Sequence, residues 1–256
     1  MSKLDKVFKE KAFIAFLTAG DPSLEDTKRY IYKMIEAGVS LIEIGIPFSD
    51  PIAEGKTIFD ASMRALKANT TLDRIFDMVY DIRKKYEDFP LVFMTYLNPV
   101  FRYGYERFFS RCNELNVYGV IIPDLPYEEK KEVSDVADKY DLDVISMITP
   151  TSNERIEMIA KEAKGFIYLV SSLGVTGVRS EFNFDLAKIV NEIKKYTNTK
   201  IAIGFGISNE NQVKDMIKIS DGVIVGSAIV NIIAKYKDKA DNYIYDFCKN
   251  MVLATK

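Results

Sequence analysis

Eight short apolar segments recur along the chain at a spacing of roughly 30 residues, and a helical pattern follows each of them. The segments predict strands at 12–18, 41–45, 91–96, 119–122, 143–148, 166–170, 201–203 and 222–225. Strands that are so uniformly apolar are typical of a parallel sheet whose two faces are both covered. Because the pattern fills all 256 residues without a break in composition, it predicts an α/β fold, a (β/α)8 TIM barrel that forms a single domain over residues 1–256.

Two additions to the plain barrel are predicted. A short amphipathic helix precedes the first strand, near Leu4 to Lys9, and a helical stretch at 57–67 lengthens the connection after the second strand. An open, doubly wound sheet is the alternative fold. Such a sheet would usually carry its phosphate-binding glycines after the first strand, whereas the glycine-rich turns of this chain come late.

The residue inventory limits the available chemistry. The chain contains no histidine, which excludes a Ser-His triad, the usual zinc site and a histidine acid or base. Its formal net charge of -2 comes from well-mixed acids and bases, so no nucleic-acid surface is indicated. Neither a signal peptide nor a membrane span is recognisable. We therefore expect a cytoplasmic protein whose chemistry rests on carboxylates, tyrosines, lysines and backbone amides.

A lone carboxylate interrupts the second predicted strand. Glu43 stands in the middle of the apolar run LIEIG, and the loop that follows carries Asp50 and Glu54. Stripping a carboxylate of water costs several kcal/mol, so Glu43 finds a partner, becomes protonated or serves chemistry. Three acids are thus predicted near one strand end.

Glycine-rich turns follow the last three predicted strands. They read Gly174-Val175-Thr176-Gly177, Gly204-Phe205-Gly206 and Gly226-Ser227. In barrels that bind phosphorylated substrates, turns near the seventh and eighth strands and a short helix start present backbone N–H groups to the anion. Each turn alone is ordinary turn chemistry, but the two turns that follow the seventh and eighth strands together favour a phosphate site.

Carboxylate acid-base chemistry is what the strand ends offer. No lysine lies at a recognisable catalytic strand end, which disfavours a Schiff-base aldolase, and the lack of histidine disfavours a zinc aldolase. A magnesium site made only of carboxylates stays open. The remaining reading is general acid-base catalysis on a substrate that supplies its own electron sink.

The chain resembles the tryptophan synthase alpha subunit family over essentially its whole length. The motifs that carry the resemblance are, in order, FLTAGDP, IEIGIPFSDPIAEG, MTYLNPVFRYG, IIPDLPYEE, YLVSSLGVTGVR, IGFGIS and VGSAIV. The resemblance implies a (β/α)8 barrel that cleaves indole-3-glycerol phosphate to indole and glyceraldehyde 3-phosphate. It also implies a β subunit as partner in an α2β2 complex, with pyridoxal phosphate carried by that subunit and no cofactor or metal in this chain.

The resemblance also implies roles for individual residues. Glu43 corresponds to the acid/base that takes the glycerol hydroxyl proton and protonates indole C3, and Glu54 to the carboxylate that assists at the indole N–H. Substrate-binding positions are Phe16, Ile58, Tyr96, Tyr168, Thr176 and Phe205, with Thr176 as a lid residue. Phosphate-binding positions are Gly177, Gly206, Gly226 and Ser227. Positions near the partner interface are Asp50, Asn98 and Pro99.

Two residues depart from the family pattern. Glu54 stands where many relatives have Asp, and Lys56 stands where a proline is expected. We expect Lys56 to hold Glu54 ionised, and the loop to be less well preorganised without the proline.

Other readings of the sequence remain. A different phosphate-binding barrel, such as a sugar-phosphate isomerase or epimerase, is one, and a weakly active barrel that acts mainly as an allosteric partner of a β subunit is another. Glu43 as half of a buried ion pair, the two tyrosines as core aromatics, and Asp50, Asn98 and Pro99 as turn residues are the structural alternatives.

Overall fold

Eight parallel strands close into a barrel in the computed structural model, which describes residues 2–150, 152–171, 179–204 and 206–256. Each strand pairs with its neighbours in sequence, and the first strand pairs with the last. The strands are β1 (Ala12–Thr18), β2 (Leu41–Gly45), β3 (Leu91–Met94), β4 (Gly119–Ile121), β5 (Asp143–Ile148), β6 (Phe166–Val170), β7 (Lys200–Gly204) and β8 (Gly222–Val225). The predicted (β/α)8 fold is confirmed.

Helices surround the barrel between successive strands. They are α1 (Leu24–Ala37), α2 (Lys56–Lys67), α3 (Leu72–Lys85), α4 (Leu97–Tyr103), α5 (Tyr105–Glu114), α6 (Lys130–Lys139), α7 (Ile156–Glu162), α8 (Arg179–Lys194), α9 (Glu210–Ile217), α10 (Ser227–Tyr236) and α11 (Asp241–Ala254). Short 3₁₀ helices lie at Lys3–Phe8, Tyr127–Glu129, Asn153–Arg155 and Lys237–Lys239. Within the described ranges, no helix combines the length and apolarity needed to cross a membrane.

Strand alternation divides the core into two parts. Along β1, Phe13, Ala15 and Leu17 face the helices, while Ile14 faces the barrel interior. Leu4 and Phe8 of the N-terminal 3₁₀ helix join the interior cluster. The predicted extra helix therefore closes the amino-terminal end of the barrel, and the carboxyl end remains available for a site.

A buried ion pair joins the loop after β1 to α2. Asp21 is buried, and its two carboxylate oxygens each accept a hydrogen bond of 2.7 Å from the guanidinium of Arg64. Such a bidentate pair fixes direction as well as distance. It holds α2, the additional helix after β2, against the first strand end.

The region after β3 differs from the prediction. The strand ends at Met94 rather than Tyr96, and α4 follows, where no helix was predicted. Tyr96 precedes α4 in an extended conformation, and Pro99 lies in the first helical turn, where its missing N–H removes no helical bond. The Asn-Pro dipeptide therefore marks a helix start as well as a turn.

Candidate active site

Glu43 lies in the barrel wall with no partner. Its side chain is fully buried, and neither carboxyl oxygen has a hydrogen-bond partner among the described residues. Burial raises the pKa of this carboxyl to about 8, from a usual value of 4.5. At neutral pH the protonated form of this carboxyl is therefore favoured. The structural alternative of a buried ion pair finds no support in the described residues.

Glu54 reaches the same cavity from the loop after β2. It is half-buried, and its Oε2 atom lacks a hydrogen-bond partner within the described part of the chain. Burial raises its pKa to about 7. Two carboxyls with raised pKa values thus face one space, and the more deeply buried one, Glu43, holds its proton to higher pH.

That space is a cavity of about 110 Å³ at the carboxyl end of the barrel. Phe16 from β1, Ile58 from α2 and Tyr168 from β6 form apolar walls beside the two carboxyls. The pKa of the Tyr168 hydroxyl is raised by burial and by the nearby Glu43. The cavity thus contains three of the predicted substrate-binding residues and both predicted catalytic ones.

Two glycines give these aromatic rings their places. A β-carbon on Gly45 would lie 2.6 Å from the ring of Phe16, and one on Gly204 would lie 2.7 Å from Cζ of Tyr168. A side chain at either position would therefore force the ring to shift, so glycine permits the rings to stay where they are. The sequence analysis assigned no such role to Gly45.

Tyr96 packs beside the site and bonds to the loop that carries Glu54. The residue is buried, its ring packs on Phe48 with 5.2 Å between centroids, and it is absent from the walls of the cavity described above. Its hydroxyl oxygen accepts a hydrogen bond of 3.1 Å from the backbone N–H of Ala53, directly before Glu54. This bond holds the loop that carries Glu54, and the predicted substrate contact of Tyr96 stays a prediction.

The predicted phosphate positions fall partly within the described chain. Gly206, Gly226 and Ser227 line the cavity opposite Glu54, with Ser227 as the first residue of α10. Free N–H groups at a helix start favour an anion. Thr176, Gly177 and Phe205 lie outside the described residues, so the predictions for them stay predictions.

The expectation that Lys56 holds Glu54 ionised is wrong, and the expectation of a less preorganised loop stays a prediction. Its ammonium group pairs with Asp60 at 2.7 Å, one helical turn further along α2, and both side chains are largely exposed. The pKa of Glu54 is raised by burial, not lowered by a neighbouring lysine. Residues four apart on a helix are neighbours, which brings Asp60 within reach of Lys56.

The predicted interface residues share the carboxyl face of the barrel. Asp50 is exposed in the loop after β2, and Asn98 and Pro99 lie in the first turn of α4. Two large apolar side chains nearby in sequence are strongly exposed, namely Ile52 at 80% and Phe101 at 65%. Exposed apolar groups beside polar ones are typical of a protein interface.

Several cavity residues were not singled out from the sequence. Met94, Ile207 and Ile224 are wall residues, and only position on a strand end or turn could have marked them. Thr18, at the end of β1, is buried and its hydroxyl has no hydrogen-bond partner among the described residues. Thr18 follows Phe16 by two residues, a spacing that places both on one strand face.

Cavity size alone does not identify the site. A larger cleft of about 890 Å³ lies at the amino-terminal end, beside Lys6, Lys11 and Lys249. Within the described ranges, no group of three or more His, Cys, Asp or Glu side chains is arranged to hold a metal ion.

Comparison with known proteins gives a consistent picture. A family model described as tryptophan synthase alpha chain matches residues 2–255. The tryptophan synthase alpha chain of Lacticaseibacillus casei is 51% identical over 255 residues, covering 99% of this chain and 96% of the relative. That of Lactiplantibacillus plantarum is 47% identical, covering 98% and 95%.

Solved structures agree with the sequence matches. Tryptophan synthase subunit alpha from Legionella pneumophila superposes with a TM-score of 0.90 at 33% identity, covering 100% of this chain and 98% of that one. A chain of the tryptophan synthase α2β2 complex from Pyrococcus furiosus gives a TM-score of 0.89 at 35% identity, with coverage of 96% and 99%.

Proposed function

This chain belongs to the tryptophan synthase alpha chain family, and on that premise we propose that it cleaves indole-3-glycerol phosphate to indole and glyceraldehyde 3-phosphate. The observation that carries the proposal is the pair of unpartnered carboxyls, Glu43 and Glu54, in one cavity. Buried acids with raised pKa values are suited to proton transfer near neutral pH.

The first step makes the indole ring an electron sink. Glu43, protonated at neutral pH because its pKa is about 8, gives its proton to indole C3. The ring becomes an indoleninium cation, and the carboxylate of Glu54 accepts a hydrogen bond from the ring N–H and stabilises the positive charge. Glu54 suits this role because its pKa of about 7 leaves a substantial carboxylate fraction at neutral pH.

The second step breaks the carbon–carbon bond. Glu43, now a carboxylate, takes the proton of the hydroxyl on the side-chain carbon next to the ring, and that carbon becomes an aldehyde. The bonding electrons return to the ring and neutralise its nitrogen, which releases indole. Glu43 ends the cycle protonated, as it began, so the chain needs no outside proton donor.

The rest of the cavity fits the other parts of the substrate. The flat ring is proposed to lie between Phe16, Met94 and Tyr168, and the phosphate is proposed to meet the backbone at Gly206, Gly226 and Ser227. Thr176, Gly177 and Phe205 keep their proposed roles as lid, phosphate-binding and ring-contacting residues.

The partner is a tryptophan synthase β subunit, in an α2β2 complex that converts the indole to L-tryptophan. Pyridoxal phosphate is proposed to belong to that subunit, and this chain to act in the cytoplasm without a cofactor. The carboxyl face, with Asp50, Asn98, Pro99 and the exposed Ile52 and Phe101, is the proposed contact surface.

The test is indole release from indole-3-glycerol phosphate by wild type and Glu43→Gln, each alone and with a β subunit. Loss of general acid-base catalysis costs about 10²- to 10⁴-fold, so we expect a drop of that size in kcat with substrate binding retained. Asp143→Asn is the matched control, since Asp143 begins β5 at the opposite end of the barrel. A Glu43→Gln chain that turns over at the wild-type rate contradicts the mechanism. A wild type that binds substrate without cleaving it, even with the β subunit, supports the allosteric alternative instead.

A further inference from the structure

A second cavity, of about 290 Å³, adjoins the reaction cavity. The two share three wall residues, Ala53, Met94 and Tyr168. The second cavity then extends outward past the end of β5 towards α6 and α7, beyond the reach of either catalytic carboxyl. Its volume is close to the lower end of the roughly 300–1,000 Å³ that small-molecule sites occupy.

A lysine without a carboxylate partner lines the outer part of this cavity. Lys130, the first residue of α6, is partly buried, and its ammonium group donates a hydrogen bond of 2.7 Å to the hydroxyl of Ser146. Among the residues that the structure describes, no carboxylate lies within ion-pair distance of it. The strongest opposing charge comes from Glu162, which also raises the pKa of Tyr127. Burial accordingly lowers the pKa of Lys130.

Ser146 is out of pattern for its strand. It lies between Val144 and Ile148 on the face of β5 that packs against the helices, where apolar residues form the core. A hydroxyl at this position leaves room beside the strand and gives Lys130 one acceptor, which is fewer than an ammonium group can satisfy. An incoming anion would supply the missing acceptors and charge.

The cavity offers an apolar body and a polar end. Ile122, Val170 and Ile159 line it together with Lys130 and a pair of hydroxyls, Thr149 and Ser152, whose oxygens lie 2.9 Å apart. Arg155 also lines the cavity, and its guanidinium pairs with Glu128 at 3.2 Å, with both side chains about half exposed. A ligand that fits both parts has a compact apolar group and one anionic head.

We propose that this second cavity binds a small carboxylic acid with an apolar body, held at its carboxylate by Lys130. The site is distinct from the proposed phosphate position, because Gly206, Gly226 and Ser227 line only the reaction cavity. Because the occupant touches Ala53, next to Glu54, it also contacts the loop that carries a proposed catalytic residue.

The test is titration of the purified full chain with benzoate, followed by calorimetry and by ligand-observed NMR. We expect saturable binding, with benzamide, the neutral isostere, bound at least about tenfold more weakly, because a charge-assisted hydrogen bond is lost. Lys130→Met keeps the length of the side chain without its charge and should weaken benzoate binding by a similar factor. Lys131→Met, its exposed neighbour, should leave binding unchanged.

Further measurements keep the outcome decisive. Ser146→Ala, which removes the hydroxyl partner of Lys130, is the second variant if Lys130→Met unfolds, and it should strengthen or preserve benzoate binding. Inorganic phosphate is the competing probe, and Lys130→Met should not alter its binding. The proposal is overturned if benzoate does not bind at millimolar concentration, if Lys130→Met binds it as wild type does, or if phosphate alone is lost in that variant. Binding is measured without turnover, so a chain that fails as a lyase leaves this test intact.

Discussion

The two ends of the barrel differ in how completely their polar side chains are paired. At the amino-terminal end, Asp88 accepts hydrogen bonds from Lys6 and Tyr118, and Lys11 donates to the carbonyl of Ser220. The guanidinium of Arg83 donates to four backbone carbonyls, those of Leu115, Tyr86, Phe89 and Asn116. At the carboxyl end, the side chains of Thr18, Glu43 and Glu54 keep buried oxygens without partners among the described residues.

This difference separates stability from chemistry. A buried polar atom without a partner costs about 1–3 kcal/mol, so an end of the barrel that satisfies its polar groups contributes to folding. An end that leaves them unsatisfied carries a cost that a bound ligand can offset. Substitutions at the amino-terminal end should therefore lower the free energy of unfolding and leave turnover unchanged, whereas substitutions at the carboxyl end should change turnover whatever they do to stability.

The largest expected effect is a pH dependence of stability that comes from Glu43. Its pKa is about 8 in the folded chain and near 4.5 when the chain is unfolded, so folding favours the protonated form. The stability it contributes is complete below pH 4.5 and is lost as the pH rises through 8, by several kcal/mol in total. Urea unfolding at a series of pH values should show wild type losing stability relative to Glu43→Gln across this window. A difference between the two proteins that does not vary with pH would contradict it.

Arg83→Leu tests the amino-terminal end of the barrel, where the polar side chains have hydrogen-bond partners. The substitution leaves four carbonyls without their donor, so we expect a loss of about 3 kcal/mol or more in the free energy of unfolding, measured by urea denaturation. Arg102→Leu, an exposed arginine on α4, should change stability by less than about 0.5 kcal/mol. The indole-forming kcat of folded Arg83→Leu should match wild type, and a large fall in kcat would break the division between the two ends.

Substitutions of Glu54, the second buried acid, test the carboxyl end of the barrel. We expect Glu54→Ala to lower kcat about 100-fold and Glu54→Asp to stay within about tenfold of wild type, because the shorter acid keeps the charge. Glu106→Ala, which removes an exposed acid paired with Lys139, serves as the control without effect on turnover. An unaffected Glu54→Ala enzyme would remove this residue from the mechanism.

The smallest expected effect compares two tyrosines at opposite ends. Tyr96→Phe removes the acceptor for the Ala53 N–H, worth about 1 kcal/mol, and should lower kcat about fivefold with KM unchanged. Tyr118→Phe removes a donor to Asp88 and should lower stability by about 1 kcal/mol with kcat unchanged. A Tyr96→Phe effect confined to KM would indicate that the hydroxyl contacts the substrate after all.

The sequence was sufficient to predict the barrel fold and to single out Glu43 and Glu54 as candidate site residues. Strand periodicity depends on neighbouring residues, and a carboxylate inside an apolar run is visible without a structure, so Glu43 could be found directly. The hydrogen bond between Tyr96 and Ala53 could not be predicted from the sequence, because it joins residues 43 positions apart. The pairing of Lys56 with Asp60 was a choice between two neighbours that only side-chain geometry decides. Helix α4 was hidden by Pro99, which is compatible with a turn or a first helical turn.

The ion pair between Asp21 and Arg64 has a mechanical consequence for the loop after β2. At one end of this loop, the N–H of Ile46 is bonded to the carbonyl of Met94 at 2.8 Å, and at the other end Arg64 clamps α2. Both ends of the loop are therefore held in place, and the exposed Ile52 lies near its middle. A contact made at Ile52 should therefore move the loop between its two fixed ends, and the carboxyl of Glu54, two residues away, should move with it.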